Sequence, residues 1–366
     1  MINRMILQNI FHRPIRTAVS ILAVAIEVGM VLLVVGLTSG LVHDTAKRVE
    51  GIGADILVQP PGASLFFGMS QAPMPIKIGD RLAEIPRVIA VSPTLFQFHS
   101  SGGLNVIYGI DLDSFNKVSG GFVFHAGGPF EQPYDILVDD WYAKANHVKV
   151  GQTLVFLNHD FRVSGIVEHG KGSRLFIPLK TAQDLANAQD RASIFFVKCS
   201  DPAYTDQVVE GIHKLLPRYQ VLSVREYMSM MTSNNLPFLP SFINVMIGVA
   251  VIIGFLVIFL SMYTTITERT REIGILKSLG ASKTYIVEAI LREAGLLSAI
   301  GILAGYAGTL IARKLILKAF PTLSVDLTFE WALWAALLAI AGTLIGAFYP
   351  ALRAAQLDPV DALAYE

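Results

Sequence analysis

The sequence predicts a membrane protein with four transmembrane α-helices and a large α+β extracytoplasmic domain inserted between helices 1 and 2. Three observations carry that prediction. Four apolar runs each reach the roughly 20 residues needed to cross a hydrocarbon core. A long insert after the first run alternates short β-like stretches with Gly, Pro, Asn and Asp breaks. Only 16% of the 366 residues are charged and 53% are hydrophobic. The 29 basic residues balance 29 acidic ones, so the basic footprint of a nucleic-acid binder is missing. The one cysteine, Cys199, excludes an intrachain disulfide.

Residues 1–16 carry Arg4, Arg13 and Arg16 and lead into the first span, residues 17–41, interrupted only by Glu27. That run is too long for a signal-peptide core and no A-x-A cleavage site follows, so it is expected to stay as an anchor. Residues 42–240 form the inserted domain. Its β-like runs are ADILVQ, VIAVSPTLFQF, NVIYGIDL, DILVDD, TLVFL, FRVSGIVE, RLFIPL and SIFFVKC. Helical patterns fall near residues 78–85, 179–189 and 204–216, and Asp201 before Pro202 opens the last of these. Two small lobes are expected. LVHDTAKRVE, residues 41–50, contains no breaker, so the first span is expected to continue outward as a stalk. A second stem is expected over residues 224–232.

The second span is residues 241–266, followed by a connection over 267–293 that contains the start of the third span, residues 294–312. A loop over 313–330 leads to the fourth span, 331–349, and a tail over 350–366. Basic residues before the first span, together with Arg269, Arg271, Lys277 and Lys283, favour a cytoplasmic N-terminus and a cytoplasmic second connection. Arg313, Lys314 and Lys318 run against that rule. Both termini of this multi-pass membrane protein are then cytoplasmic. Gly301–Gly305 and Gly342–Gly346 have the small-residue spacing that lets membrane helices approach closely. Glu27 has two readings, a functional acid that takes up a proton and a packing residue, and the second is preferred because no second ionisable residue offers a proton relay.

The connection TERTREIGILKSLGASKTYI keeps an apolar stripe of its own. Ile266, Ile273, Leu276 and Leu279 follow approximate helical spacing, and Glu268–Glu272 reads as a like-charge i,i+4 pair that asks for a basic partner. Gly280 is expected to end that helix and Ser282 to cap the next. In the tail, Tyr349–Pro350 is expected to end the fourth span, and Asp358–Pro359 to start a short helix.

Catalytic motifs are missing. No HExxH, CxxC or G-x-S-x-G occurs, and no metal site is expected. GIVEHGKG, residues 165–172, satisfies G-x-x-x-x-G-K, but Gly172 stands where a P-loop needs Ser or Thr. It reads as a β-turn with Gly170 and Gly172 at positive φ.

Three stretches resemble the MacB/FtsX-like ABC transporter permeases, the mechanotransmission type of ABC system. NIFHRPIRTAVSILAVAIEVG looks like that family's amphipathic N-terminal helix and first span. ERTREIGILKSLGASKTYI resembles its cytoplasmic coupling helix, and YPALRAAQLDPVDAL its C-terminal ending, with Pro350, Asp358 and Pro359 in matching places. The inserted domain is similar to the MacB core domain.

The resemblance implies a non-enzymatic permease subunit that transmits ATPase-driven motion to the outer domain. Cargoes implied for it are a lipoprotein, lipid, peptide or drug. ATP and Mg would be held by a separate cytoplasmic ABC ATPase, with no cofactor on this chain. Further implied partners are a second permease copy or a paralogue, a periplasmic adaptor and membrane lipids. Glu268, Arg269, Arg271, Glu272, Ile273, Gly274, Lys277, Gly280 and Ala281 would contact the ATPase. Two other readings are signalling to a cell-wall hydrolase, as in the FtsX branch, and a membrane receptor without an ATPase.

Overall fold

Apolar runs of this length become helices because a chain in hydrocarbon must satisfy its backbone within one segment. The computed structural model describes residues 14–63, 73–99, 105–231 and 239–358. Its helices are α1 (Pro14–Glu50), α2 (Ile78–Ala83), α3 (Leu112–Ser119), α4 (Asp140–Asn146), α5 (Leu179–Leu185), α6 (Thr205–Leu215), α7 (Val224–Met230), α8 (Leu239–Glu268), α9 (Thr270–Ser278), α10 (Lys283–Ala319) and α11 (Phe329–Gln356). Its strands are β1 (Ile56–Gln59), β2 (Met74–Pro75), β3 (Val88–His99), β4 (Asn105–Ile110), β5 (Phe124–Gly127), β6 (Asp135–Asp139), β7 (Thr153–Phe156), β8 (His159–Val167), β9 (Leu175–Pro178), β10 (Arg191–Ala192), β11 (Ile194–Cys199) and β12 (Gln220–Ser223). The chain divides into a membrane unit and an inserted unit, the latter spanning Gly40–Leu236 with Phe320–Ser324. Residues 1–13 and Pro359, which carry part of the expected N-terminal helix and tail, lie outside the described residues.

In the membrane unit α1, α8, α10 and α11 are long and apolar enough to span a bilayer. Small residues set their contacts. A Cβ on Gly301 would lie 2.6 Å from the Val24 Cβ, and one on Gly305 would lie 2.9 Å from the Val28 Cβ, so α10 meets α1 at backbone distance. Gly346 of α11 faces the Phe255 carbonyl of α8, where a Cβ would sit at 3.1 Å. Polar groups add rungs between α1 and α8. The Ser20 and Ser261 hydroxyls are 2.6 Å apart, and Arg16 bonds Thr265 and Glu268. Such bonds contribute on the order of 0.6 kcal/mol each inside a membrane.

Glu27 is 4% exposed, and its carboxylate fills the space that Gly254 of α8 leaves empty. One carboxylate oxygen lies 2.0 Å from where a Gly254 Cβ would stand, and Gly342 of α11 also borders it. Oε1 is buried without a hydrogen-bond partner.

Two expectations about the spans need correction. The fourth helix does not stop at Pro350; α11 runs through it to Gln356. Proline costs one ladder bond, here to the Gly346 carbonyl, and about 3 kcal/mol. The buried stripe on either side, Ala347, Ala351, Ala354 and Ala355, holds the helix together across that gap. The third helix also continues past residue 312 to Ala319, so the first part of the expected 313–330 loop is helical.

The inserted unit is built on one ten-stranded sheet of order β12-β1-β11-β3-β4-β9-β6-β8-β5, with β7 paired to β8. The expected two lobes are therefore two cores on one sheet. Strand alternation sends Ile56, Val58, Phe195 and Val197 into one core with α6, and Ile107, Ile136, Val138 and Ile177 into another with α5. The register pairs Leu57 with Phe196 and Phe96 with Tyr108, which places these on the opposite face. Asp201 accepts from the Ala203 N–H and starts the α6 segment as expected.

α1 continues unbroken to Glu50, as the stalk reading requires. Its last turn is held by the residues that imitate a P-loop. Gly172 donates its N–H to the Arg48 carbonyl at 2.7 Å. Gly172 has φ +76°, and a Cβ there would lie 2.6 Å from the Tyr108 ring and 2.8 Å from Ile52. The stretch is a turn into β9, with no helix N-terminus to receive a phosphate. Beyond it, Arg174 joins three segments. It lies 3.2 Å from Asp44 of α1 and 3.5 Å from Asp139 at the end of β6, and it donates to the Thr322 carbonyl at 2.8 Å. Burial pushes the Asp139 carboxyl up to about 6, against the pull of Arg174.

Two outcomes follow from these contacts. Glu27→Gln is expected to unfold within about 1 kcal/mol of the parent, since shape is kept and charge is not needed. Thermal unfolding of the purified chain reads this, and a loss of folding would instead assign the charge a role. Arg174→Met leaves the buried Asp139 carboxyl without its cation, while Asp44 keeps Arg48, and is expected to cost about 3 kcal/mol. Adding Asp139→Asn should recover part of that loss in a double-mutant cycle.

Candidate functional site

The connection between the second and third spans is helical, and the reason it forms a separate helix is local. Thr264, Thr265, Thr267 and Thr270 each turn their hydroxyl back to a carbonyl three or four residues earlier. Such back-bonding competes with the ladder and bends helices. At Arg269 the backbone leaves the helical region, with φ −106° and ψ 13°, and α8 gives way to α9.

The end of α9 is set by Gly280, at φ +95°. The Gly280 N–H donates to the Lys277 carbonyl and the Ala281 N–H to the Leu276 carbonyl, both at 3.0 Å. This is a Schellman motif, in which the glycine takes the left-handed position without a Cβ penalty. The Ser282 hydroxyl then accepts from the Tyr285 N–H at 3.2 Å and caps α10. Both sequence expectations for this turn hold.

The expected like-charge pair does not form, because the break at Arg269 puts its members on different helices. Glu268 ends α8 and pairs with Arg16. Glu272 lies in the first turn of α9 and pairs with Arg269 at 3.0 Å. Arg269 also reaches Glu293 of α10 at 3.3 Å, and both of those side chains are largely buried. Arg269 thus ties α9 to α10. Lys277 ties it to α11, donating to the Ala355 carbonyl at 3.1 Å and to the Leu357 carbonyl.

The apolar stripe also divides. Ile266 and Ile273 pack with Ile286, Ala354 and Ala355, where the ends of α8, α10 and α11 meet. Gly274 is buried beside them. Ile275 and Leu279 point outward instead, 44% and 79% exposed. With Arg271 they repeat every four residues on one outer face, beside exposed Glu272. Behind α9, between it and α8 and α10, lies a cavity of about 330 Å³ lined by Ile266, Leu276, Tyr285 and Ile290, and the partly exposed Glu272 and Ile275 of α9 also border it. Of the nine residues named from the sequence, Arg269, Ile273, Gly274 and Lys277 therefore serve the inside of the subunit. Glu268 is engaged by α1. Arg271, Glu272 and Gly280 face outward, and Ala281 is half-buried. Sequence reasoning missed Ile275 and Leu279 as outer-face residues; the threonine run was the signal that shifts the helical phase. Gly280→Val is expected to cost about 1–2 kcal/mol locally, as a left-handed L-residue. Faster amide exchange over residues 270–282, with the rest unchanged, would show it.

The chain matches two family models. The MacB-like periplasmic core domain matches residues 17–215, more than half of the chain, and the FtsX-like permease C-terminal domain matches residues 244–359. Among curated proteins it is 27% identical to the macrolide export ATP-binding/permease protein MacB of Marinobacter nauticus, over 96% of this chain and 58% of that protein. To the protein of the same name from Acinetobacter baylyi it is 26% identical, over 97% of this chain and 58% of the relative. It thus spans less than two thirds of those relatives. Among solved structures, the periplasmic region of MacB from Actinobacillus actinomycetemcomitans aligns with a TM-score of 0.38 and 18% identity, covering 48% of this chain and 92% of that one. Both matching families are permease families, and no Walker motif occurs in these 366 residues. A four-span protein of the inner membrane with a periplasmic core domain between its first two spans, the chain belongs to the MacB/FtsX-like family of ABC transporter permeases.

Proposed function

We propose that this chain is the force-transmitting subunit of an export system, driven by an ABC ATPase that docks on α9 from the cytoplasm. The observation that carries the reading is the split character of α9. Its inner face is bound to three other helices by Arg269, Lys277 and Ile273, while its outer face presents Arg271, Ile275 and Leu279. A helix held this firmly moves with the spans, and exposed apolar side chains beside charges are the composition of a protein contact.

In this reading ATP and Mg are held by the ATPase, and Glu272 lies at the edge of the contact. Glu27, Gly301, Gly305, Gly342 and Gly346 keep the spans packed while they move. A second permease copy completes the membrane assembly, and a periplasmic adaptor would meet the core domain. Macrolide export is the activity named for the two relatives. The matching class of cargo for this chain is a hydrophobic or amphipathic compound handled at the periplasmic side.

Extraction from its own membrane and copurification test the reading. An ABC ATPase is expected in stoichiometric amounts. Arg271→Glu combined with Leu279→Asp should release it while leaving the melting temperature of the permease within a few degrees, as for exposed positions. A chain that purifies without any ATPase would support the receptor reading instead.

A further inference from the structure

A cavity of about 260 Å³ lies inside the inserted unit, between the last turns of α1 and the sheet face opposite the two cores. One wall is a single face of α1, where Leu41, Thr45, Arg48 and Val49 recur at helical spacing. The other is aromatic: Phe96 and Tyr108 lie tilted against each other with centroids 4.6 Å apart, and Phe196 lies 6.4 Å from Tyr108. Gly172 backs the Tyr108 ring, which fixes that wall in place.

Two lining side chains carry a buried polar atom without a hydrogen-bond partner, Arg48 at Nε and Gln59; Arg48 has Asp44 within ion-pair distance, and Gln59 is the uncharged one. Gln59, at the end of β1, is 3% exposed, and its Oε1 has no hydrogen-bond partner. An unsatisfied buried amide costs about 1–3 kcal/mol. An apolar side chain at this strand position would have avoided that cost. Water would fill the volume poorly. At about 30 Å³ each, some eight molecules would fit, and mostly apolar walls leave the majority without partners.

We propose that this cavity is a binding site for a compact, uncharged amphipath: one aromatic or branched aliphatic body bearing a single hydroxyl or amide group. A hydroxyl both donates and accepts, so it satisfies the Gln59 amide whichever way that amide is turned. The volume falls just below the roughly 300–1,000 Å³ of drug-sized pockets, which sets the compactness. Neutrality follows from the surroundings. Arg48 and Arg174 share the Asp44 carboxylate and Asp139 lies beside Arg174, so two cations already face two acids. Burial pushes the Tyr108 hydroxyl up to about 12 and Tyr227 further in the same direction, so neither supplies charge at neutral pH. A ligand here touches the stalk and the sheet at once.

The test uses the full chain in lipid nanodiscs and the trifluoromethyl-diazirinyl derivative of benzyl alcohol, a single ring with one hydroxyl. After illumination, labelled residues are mapped by mass spectrometry across a concentration series. Saturable labelling is expected within residues 41–49 and 194–196, with competition by unmodified benzyl alcohol. Gln59→Leu removes the polar anchor and should raise the half-saturating concentration roughly tenfold, the loss of about one hydrogen bond. Its melting temperature should hold or rise, because an orphaned amide is removed. Thr45→Trp fills the space from the half-buried helix side and should abolish the saturable component. Labelling that never saturates and falls only on the spanning helices would overturn the proposal. So would saturable labelling that neither variant changes.

Discussion

In hydrocarbon no hydrophobic effect draws helices together, so association depends on how closely backbones approach. Everything in the membrane unit follows from that constraint. Gly301 and Gly305 bring α10 onto Val24 and Val28 of α1, and Gly346 brings α11 onto α8. The same economy of side chains explains Glu27. A carboxyl group on α1 is accommodated because Gly254 and Gly342 leave it a berth, and its burial is a property of the neighbours as much as of the acid. Once the helices are fixed at backbone distance, the ends of α8, α10 and α11 meet, and Ile266, Ile273, Ala354 and Ala355 find each other there.

The inserted unit solves a different problem, since water supplies the driving force that lipid does not. One face of the sheet is spent on two apolar cores under short helices. The other face is only partly covered. It meets the last turns of α1 through a few directed contacts, chiefly the Gly172 amide on the Arg48 carbonyl and Arg174 on Asp44. Directed polar contacts define a position with little buried area, which leaves room for the cavity beside Gln59.

Much of this architecture was legible in the residue pattern. Length and apolarity marked the spans, and alternation marked the strands from ADILVQ to SIFFVKC. Short-range chemistry was equally readable at Gly280, Ser282 and Asp201, because a cap needs only its own neighbours. Two short helices escaped notice although their caps were written in the sequence: Asp111 accepts from the Ser114 N–H and Asp139 from the Tyr142 N–H. The faces of the second connection were misjudged because one helical phase was carried through residues 264–270, where threonine hydroxyls interrupt it. The proline rule failed at residue 350 because it weighs a lost bond and not the alanines packed on both sides. Nothing local announces Arg174 between Asp44 and Asp139, or Gln59 facing the cavity; both depend on register between distant segments.

Pro350 also has a mechanical side. The ladder of α11 lacks one bond, at the Gly346 carbonyl, and the segment beyond it carries Ala355 and Leu357, whose carbonyls are gripped by Lys277 of α9. The strap is therefore fastened past the gap in the ladder rather than on the turns before it. Across that gap it is side-chain packing, from Ala347 to Ala355, that joins the strapped end to the shaft.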